Sequence, residues 1–98
     1  MTVLLKKDIE SDWLRWMNEV HIPDVMNTGY FFDWQIHKQL LPENSIDEIT
    51  YMINYFTRSL DLYQLYTEKE APRLQNEHNQ KFKDKYIASR TVYSLIPK

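Results

Sequence analysis

Cysteine is absent from this 98-residue sequence, glycine occurs once and proline four times. Without a thiol there is no disulfide, no thiolate metal site and no cysteine nucleophile. A single glycine excludes a Gly-rich phosphate loop and a Gly-x-Ser-x-Gly elbow. So few Gly and Pro residues also exclude a low-complexity linker. Charge of one sign is lacking too: 12 basic residues against 14 acidic leave a net charge of −2. A phosphate backbone needs a concentrated basic surface, so no nucleic-acid partner is expected. The basic residues that do gather, Lys81, Lys83, Lys85, Arg90 and Lys98, read as a solvated helix end. Long apolar runs are missing as well. Val3-Leu4-Leu5 stops at Lys6, too short for a signal peptide or a membrane span, so no membrane partner and a cytoplasmic location are expected.

What the sequence has is rings. Fourteen of its residues are Phe, Trp or Tyr, within an apolar share of 43% and a charged share of 27%, the balance of a globular domain. A chain of this mass should fold to about 6,000 Å² of surface from roughly 17,000 Å² unfolded, which suits one domain over residues 1–98.

Hydrophobic spacing sets the element order. Thr2 to Leu5 is a short strand, followed by a helix signal from Asp8, with Ile9, Trp13, Trp16, Met17 and Val20 on one face. Pro23 ends or restarts that helix after Ile22, and Asn27-Thr28-Gly29 closes it. Tyr30 to Leu41 alternates as a strand, with Tyr30, Phe32, Trp34, Ile36 and Leu40 inward. Pro42-Glu43-Asn44-Ser45 is a turn of hairpin size, and Ile49 to Thr57 is the return strand, with Ile49, Tyr51, Ile53 and Tyr55 on one face. Ser59 is a good N-cap for a second helical region with the apolar band Leu60, Leu62, Tyr63, Leu65 and Tyr66. Ala71-Pro72 divides it, and Ala71, Leu74, His78 and Phe82 form the buried stripe beyond the break. Ile87 to Ile96 reads as a last strand.

Strand, helix, strand, strand, helix, strand is the ferredoxin-like βαββαβ order: an α+β fold with an antiparallel four-stranded sheet and its helices on one face. The uncovered face would carry Phe56 and Met52, with Phe31 and Leu41 as further candidates, which is too apolar to leave in water. A second copy stacked there, burying about 800 Å² per partner, makes a homodimer the expected state.

The ordered residues Trp13-Leu-Arg-Trp16-Met17, His21-Ile22-Pro23-Asp-Val25 and Thr28-Gly29-Tyr-Phe-Phe32 resemble a small bacterial family catalogued as domain of unknown function 4286. Ser59, Tyr63, Ala71-Pro72, Leu74, His78, Phe82 and Arg90-Thr91 extend the likeness over nearly the whole chain. The resemblance implies a dimeric α+β barrel-like fold and brings no assigned activity. One departure is the first strand, usually longer in members than the about five residues before this helix.

Six residues are candidates for a ligand pocket or a polar core. His21, at the expected C-terminal end of the first helix, is either a cap favoured as imidazolium by the dipole or a ligand-facing acid or base. His78, inside an apolar stripe, is a satisfied core histidine or a ligand-binding or haem-binding one. Asp33 and Arg90, on different strands, would each point into the sheet's open face, where Arg90 would either be charge-paired inside a dimer interface or bind a carboxylate or other anion. Trp16 and Trp34 are core rings or pocket walls. His37 reads as a surface strand residue, and the spacing of the three histidines matches no metal motif, so no metal and no cofactor are assigned. Two functions stay open. One is a non-catalytic homodimeric module that binds a small ligand or a protein. The alternative is a cofactor-independent monooxygenase-like or haem-binding enzyme, an analogy at fold level that rests on His78 and a nearby tryptophan.

Overall fold

The computed structural model describes all 98 residues, an α+β chain with one open, four-stranded antiparallel sheet. The strands are β1 (Thr2–Lys6), β2 (Asp33–Lys38), β3 (Glu48–Phe56) and β4 (Tyr86–Ser89). They lie in the order β2-β3-β1-β4, with every neighbouring pair antiparallel. Between β1 and β2 run α1 (Glu10–Trp16) and α2 (Ile22–Asn27); between β3 and β4 run α3 (Leu60–Lys69) and α4 (Ala71–Lys81).

Alternation decides which side of the sheet is buried. Val3 and Leu5 of β1 and Ile49, Tyr51 and Ile53 of β3 point one way and form one core with Trp13, Met17, Ile22 and Phe82 from the helical side. Val25, Phe31 and Leu74 make a smaller adjoining core with Tyr55, Tyr63 and Tyr66 around it. Leu4, Met52, Phe56 and Ile87 have the opposite parity and face away from the helices. A clamp joins helix and sheet at one end: Tyr51 donates its hydroxyl to Glu10 Oε2 at 2.6 Å, and Lys38 Nζ lies 3.0 Å from the same oxygen.

α1 and α2 are not separated by a loop. Residues Met17–His21 form a π turn between them, and the Ile22 N–H reaches back to the Met17 carbonyl, five residues away instead of four. Pro23, in the first turn of α2, has no N–H to give a carbonyl behind it, and the widened turn lets the chain pass it without a break. The helix therefore takes the restart alternative at Pro23, and its C-terminal end lies at Asn27, with Gly29 at φ 83° just beyond.

α3 begins where its cap predicts: Ser59 Oγ accepts the Leu62 N–H at 3.2 Å. α4 buries Ala71, Leu74 and His78, with Phe82 at its C-cap, the whole stripe expected from spacing. Three expectations are corrected. β2 starts at Asp33 rather than Tyr30, so parity does not extend back through residues 30–32: Phe31 is buried on the helical side and Phe32 is 53% exposed. On the first helix, His21 takes the buried place and Val20 lies 41% exposed. The last strand ends at Ser89, because Ser89 already faces Thr2 in the register and β1 has no further strand residue to offer; Val92, Tyr93, Leu95 and Ile96 are exposed.

Candidate functional site

The polar residues inside the molecule gather where the π turn lies over α4. His21 is 6% exposed and His78 1%, the two buried polar side chains of the chain. Their ring centroids are 5.4 Å apart, and the Trp16 ring stacks on both, at 5.0 Å from His21 and 5.5 Å from His78. Tyr86 of β4 stacks on the other side of His78 at 4.1 Å, and Phe82 meets both Trp16 and His78 edge on. The Trp13 indole N–H donates to His78 Nε2 at 2.9 Å. That bond requires Nε2 as the acceptor, which places the ring proton on Nδ1 and makes the neutral imidazole the bonded form.

Burial sets the protonation of both rings. Desolvation holds His21 down to about 4, against an upward pull from Asp24 and a smaller downward one from Arg90. Desolvation holds His78 down to about 3, helped by the neighbouring His21 and by Arg90. The expected helix-end imidazolium at His21 is thus overturned: the helix runs on to Asn27, and His21 is an interior, neutral ring.

Arg90 follows β4 directly. It makes no ion pair, and its charge bears on the same cluster, lowering His21, His78, Tyr55, Tyr66, Tyr86 and the Met1 amine. Asp33 is exposed on β2 at the far edge of the sheet, where its Oδ1 accepts the Trp34 N–H at 2.8 Å; it does not meet Arg90. Trp34 is half-buried against the main core, apart from the histidines. Of the six sequence candidates, His21, His78 and Trp16 come together, Arg90 lies just past β4 within reach of their charge, and Asp33 and Trp34 stand apart.

Tyr55 and Tyr66 stand in the adjoining smaller core, both against Phe31, and sequence reasoning treated them only as core rings. Tyr55 continues the inward parity of Ile49, Tyr51 and Ile53, but its hydroxyl is buried with no hydrogen-bond partner. Burial also pushes the Tyr66 phenol up to about 12. The signal available was the hydroxyl itself: an inward tyrosine brings a polar tip into the core that needs a donor or acceptor.

Two surface hollows lie elsewhere. One of about 570 Å³, at the Lys6 end of β1, is lined by Lys6, Lys7, Asp8, Asp47, Asp84 and Lys85, and Lys85 and Asp8 already pair across it at 3.1 Å. The other, about 260 Å³, lies on the open sheet face beside His37, Thr50 and Met52. No three His, Cys, Asp or Glu side chains come together in a group that could hold a metal ion. No helix is long and apolar enough to cross a membrane.

Neither the curated proteins nor the solved structures contain a match to this chain. The family described as Domain of unknown function (DUF4286) matches residues 1–96, and the chain belongs to that family.

Proposed function

We propose that the chain is a non-catalytic homodimeric module of the ferredoxin-like, dimeric α+β barrel type, which binds a small ligand or a protein partner. The carrying observation is the uncovered face of the sheet. Leu4, Met52, Phe56 and Ile87 share it, Met52 is 40% and Ile87 69% exposed, and Phe32 stands exposed nearby. An apolar sheet face of this kind is normally covered. The accessible surface, 7,016 Å² against the about 6,000 Å² expected for the mass, leaves ample room for the roughly 800 Å² that each partner buries in a standard interface. The strand order β2-β3-β1-β4, with β1 and β3 central, supports the ferredoxin-like assignment.

The binding role is favoured over catalysis by the state of the histidines. A general base needs an accessible lone pair near its substrate. His78 has given its acceptor nitrogen to Trp13 and is walled in by Trp16, Tyr86 and Phe82.

Light scattering at micromolar concentration tests the dimer: it should give twice the 12.0 kDa chain mass, and Met52→Lys should halve it without changing the far-ultraviolet spectrum. A wild-type monomer would refute the proposal. A haem titration addresses the enzyme reading: a saturable Soret shift lost in His78→Ala would replace the module with a haem protein.

A further inference from the structure

The two edges of the sheet are guarded very differently. An exposed edge is a template for another strand, and proteins blunt it with charge, proline or a bulge. β2, at one edge, carries Asp33, His37 and Lys38 within its six residues. β4, at the other, has no strand beyond it, and the chain runs on through residues 90–96 without regular structure. Residues 86–96 read Tyr-Ile-Ala-Ser-Arg-Thr-Val-Tyr-Ser-Leu-Ile, with one charge and strand-forming Tyr, Ile, Thr and Val. They contain no Gly, Pro, Asn or Asp to turn the segment back onto its own sheet.

This edge is accessible and apolar. Ile87, Val92, Tyr93, Leu95 and Ile96 are 54–94% exposed. Five such side chains hold on the order of 500 Å² of apolar surface, so two copies together reach about 1,000 Å², where specific interfaces begin. The backbone is available as well. The Lys6 N–H donates to the Lys85 carbonyl at 2.9 Å. Bonding alternates along an antiparallel strand, so Lys85, Ile87 and Ser89 turn their main-chain groups toward β1, and Tyr86 and Ala88 turn theirs outward, where this chain offers no strand.

We propose that two copies of the chain pair antiparallel along this edge, residues 86–96 of one against residues 86–96 of the other, about a twofold axis at Thr91. Matched end to end, Ile96 faces Tyr86, Leu95 faces Ile87, Tyr93 faces Ser89, and the two Thr91 residues face each other. Each Arg90 faces Val92, so like charges are not opposed. The outward row then forms about a dozen main-chain bonds across the axis, a number usual for a specific interface. The second copy supplies the facing chain that β1, ending level with Ser89, does not. The inference deepens the homodimer of the proposed function and rests on it. One twofold lying across the strands serves both contacts: it sets the open faces together and runs the two β4 edges antiparallel along their shared rim. Ile87, Tyr93 and Leu95, of one parity in an extended strand, then point inward with Met52.

The chain has no cysteine, so introduced thiols report the register. In the full chain, Thr91→Cys sets two thiols face to face in a non-hydrogen-bonded pair, with Cα atoms about 4.5 Å apart, within disulfide reach. Oxidation should convert most of this variant to a covalent dimer on a non-reducing gel. Ser89→Cys and Tyr93→Cys should each stay uncrosslinked alone and crosslink when mixed. Amide exchange in the wild type should show residues 92, 94 and 96 protected and residues 91, 93 and 95 open. Ser94→Pro removes an outward N–H from a segment outside the sheet, and should weaken the dimer about tenfold without changing the far-ultraviolet spectrum. Failure of Thr91→Cys to crosslink, or equal crosslinking by all three single variants, would refute the ladder. Light scattering separates the two readings. A dimer that ignores Ser94→Pro and shows uniform exchange over residues 91–96 removes the ladder alone. A dimer weakened by Ser94→Pro but untouched by Met52→Lys removes the face contact alone, and a wild-type monomer removes both.

Discussion

Acid should unfold this protein through its two histidines. His21 sits at about 4 and His78 at about 3 in the folded chain, against an ordinary 6.5 once unfolded. Above pH 6.5 both states hold neutral rings and pH has no leverage through them. As pH falls below 6.5 the unfolded chain takes up protons that the folded chain refuses, so stability drops by about 1.4 kcal/mol per pH unit per ring. At pH 5 each ring has cost about 2 kcal/mol and the pair about 4, a large part of the about 5–15 kcal/mol that holds a domain together. Glu10, whose carboxyl the Tyr51 hydroxyl bond holds below 4.5, works with the same sign but adds its loss below this window. The buried Met1 amine, lowered from 8.0, also loses stability as pH falls, equally in every variant compared. Urea denaturation at pH 7, 6 and 5 measures the effect, with the midpoint falling by more than about 1 M across the range. His78→Gln, which can still accept from Trp13, and His21→Gln should each remove about half of the slope. Stability constant within about 1 kcal/mol from pH 7 to 5, or a double variant with the wild-type slope, would refute the reasoning.

Other perturbations test the packing. Leu74→Ala, at a site 1% exposed where α4 meets Val25 and Phe31, should lower unfolding stability by about 2–5 kcal/mol, read from urea midpoints. Ser59→Ala removes the acceptor for the Leu62 N–H and should cost about 0.5–2 kcal/mol in thermal denaturation, while Ser59→Gly should cost only a few tenths. Tyr51→Phe deletes the 2.6 Å bond to Glu10, so the Glu10 carboxyl should titrate closer to 4.5 in carboxylate-detected NMR, with a stability loss of about 1 kcal/mol.

Where an element sits squarely on one period, its buried face was legible. α4 is the clearest case: Ala71, Leu74, His78 and Phe82 recur at helical spacing, and all four are buried. β3 is another, because both of its neighbours are in the sheet and its alternation runs unbroken. Reading failed where pattern outruns its partner. Tyr93 and Leu95 alternate like strand residues, but a ladder needs a facing chain and β1 is used up at Thr2. Phe31 and Phe32 exchanged places because the alternation was counted back through a segment that is not strand. The site was half legible. A histidine in an apolar stripe announces a buried polar ring, but the meeting of His21 with His78 is set by how the first helix packs over α4. Arg90 read as a strand residue facing the open side; β4 ends one residue before it, and its charge reaches the histidines.

The π turn also constrains which changes of chain length this protein can survive. A helix on the surface accepts a deleted residue by losing part of its last turn. In a regular α-helix a lost residue swings everything after it by about 100° around the axis, but the π turn holds one residue more than the α turn it replaces, so a single deletion within residues 17–21 would let the Ile22 N–H reach a carbonyl four residues back and leave α2 on nearly the same face. Val25 and Phe31 would keep their cluster, and the loss would fall on His21 where it stacks on Trp16. Among relatives that keep this fold, single-residue alignment gaps should therefore fall within residues 17–21 or in the stretch between Lys38 and Glu48, and avoid the regular turns of α1 and α2 on either side.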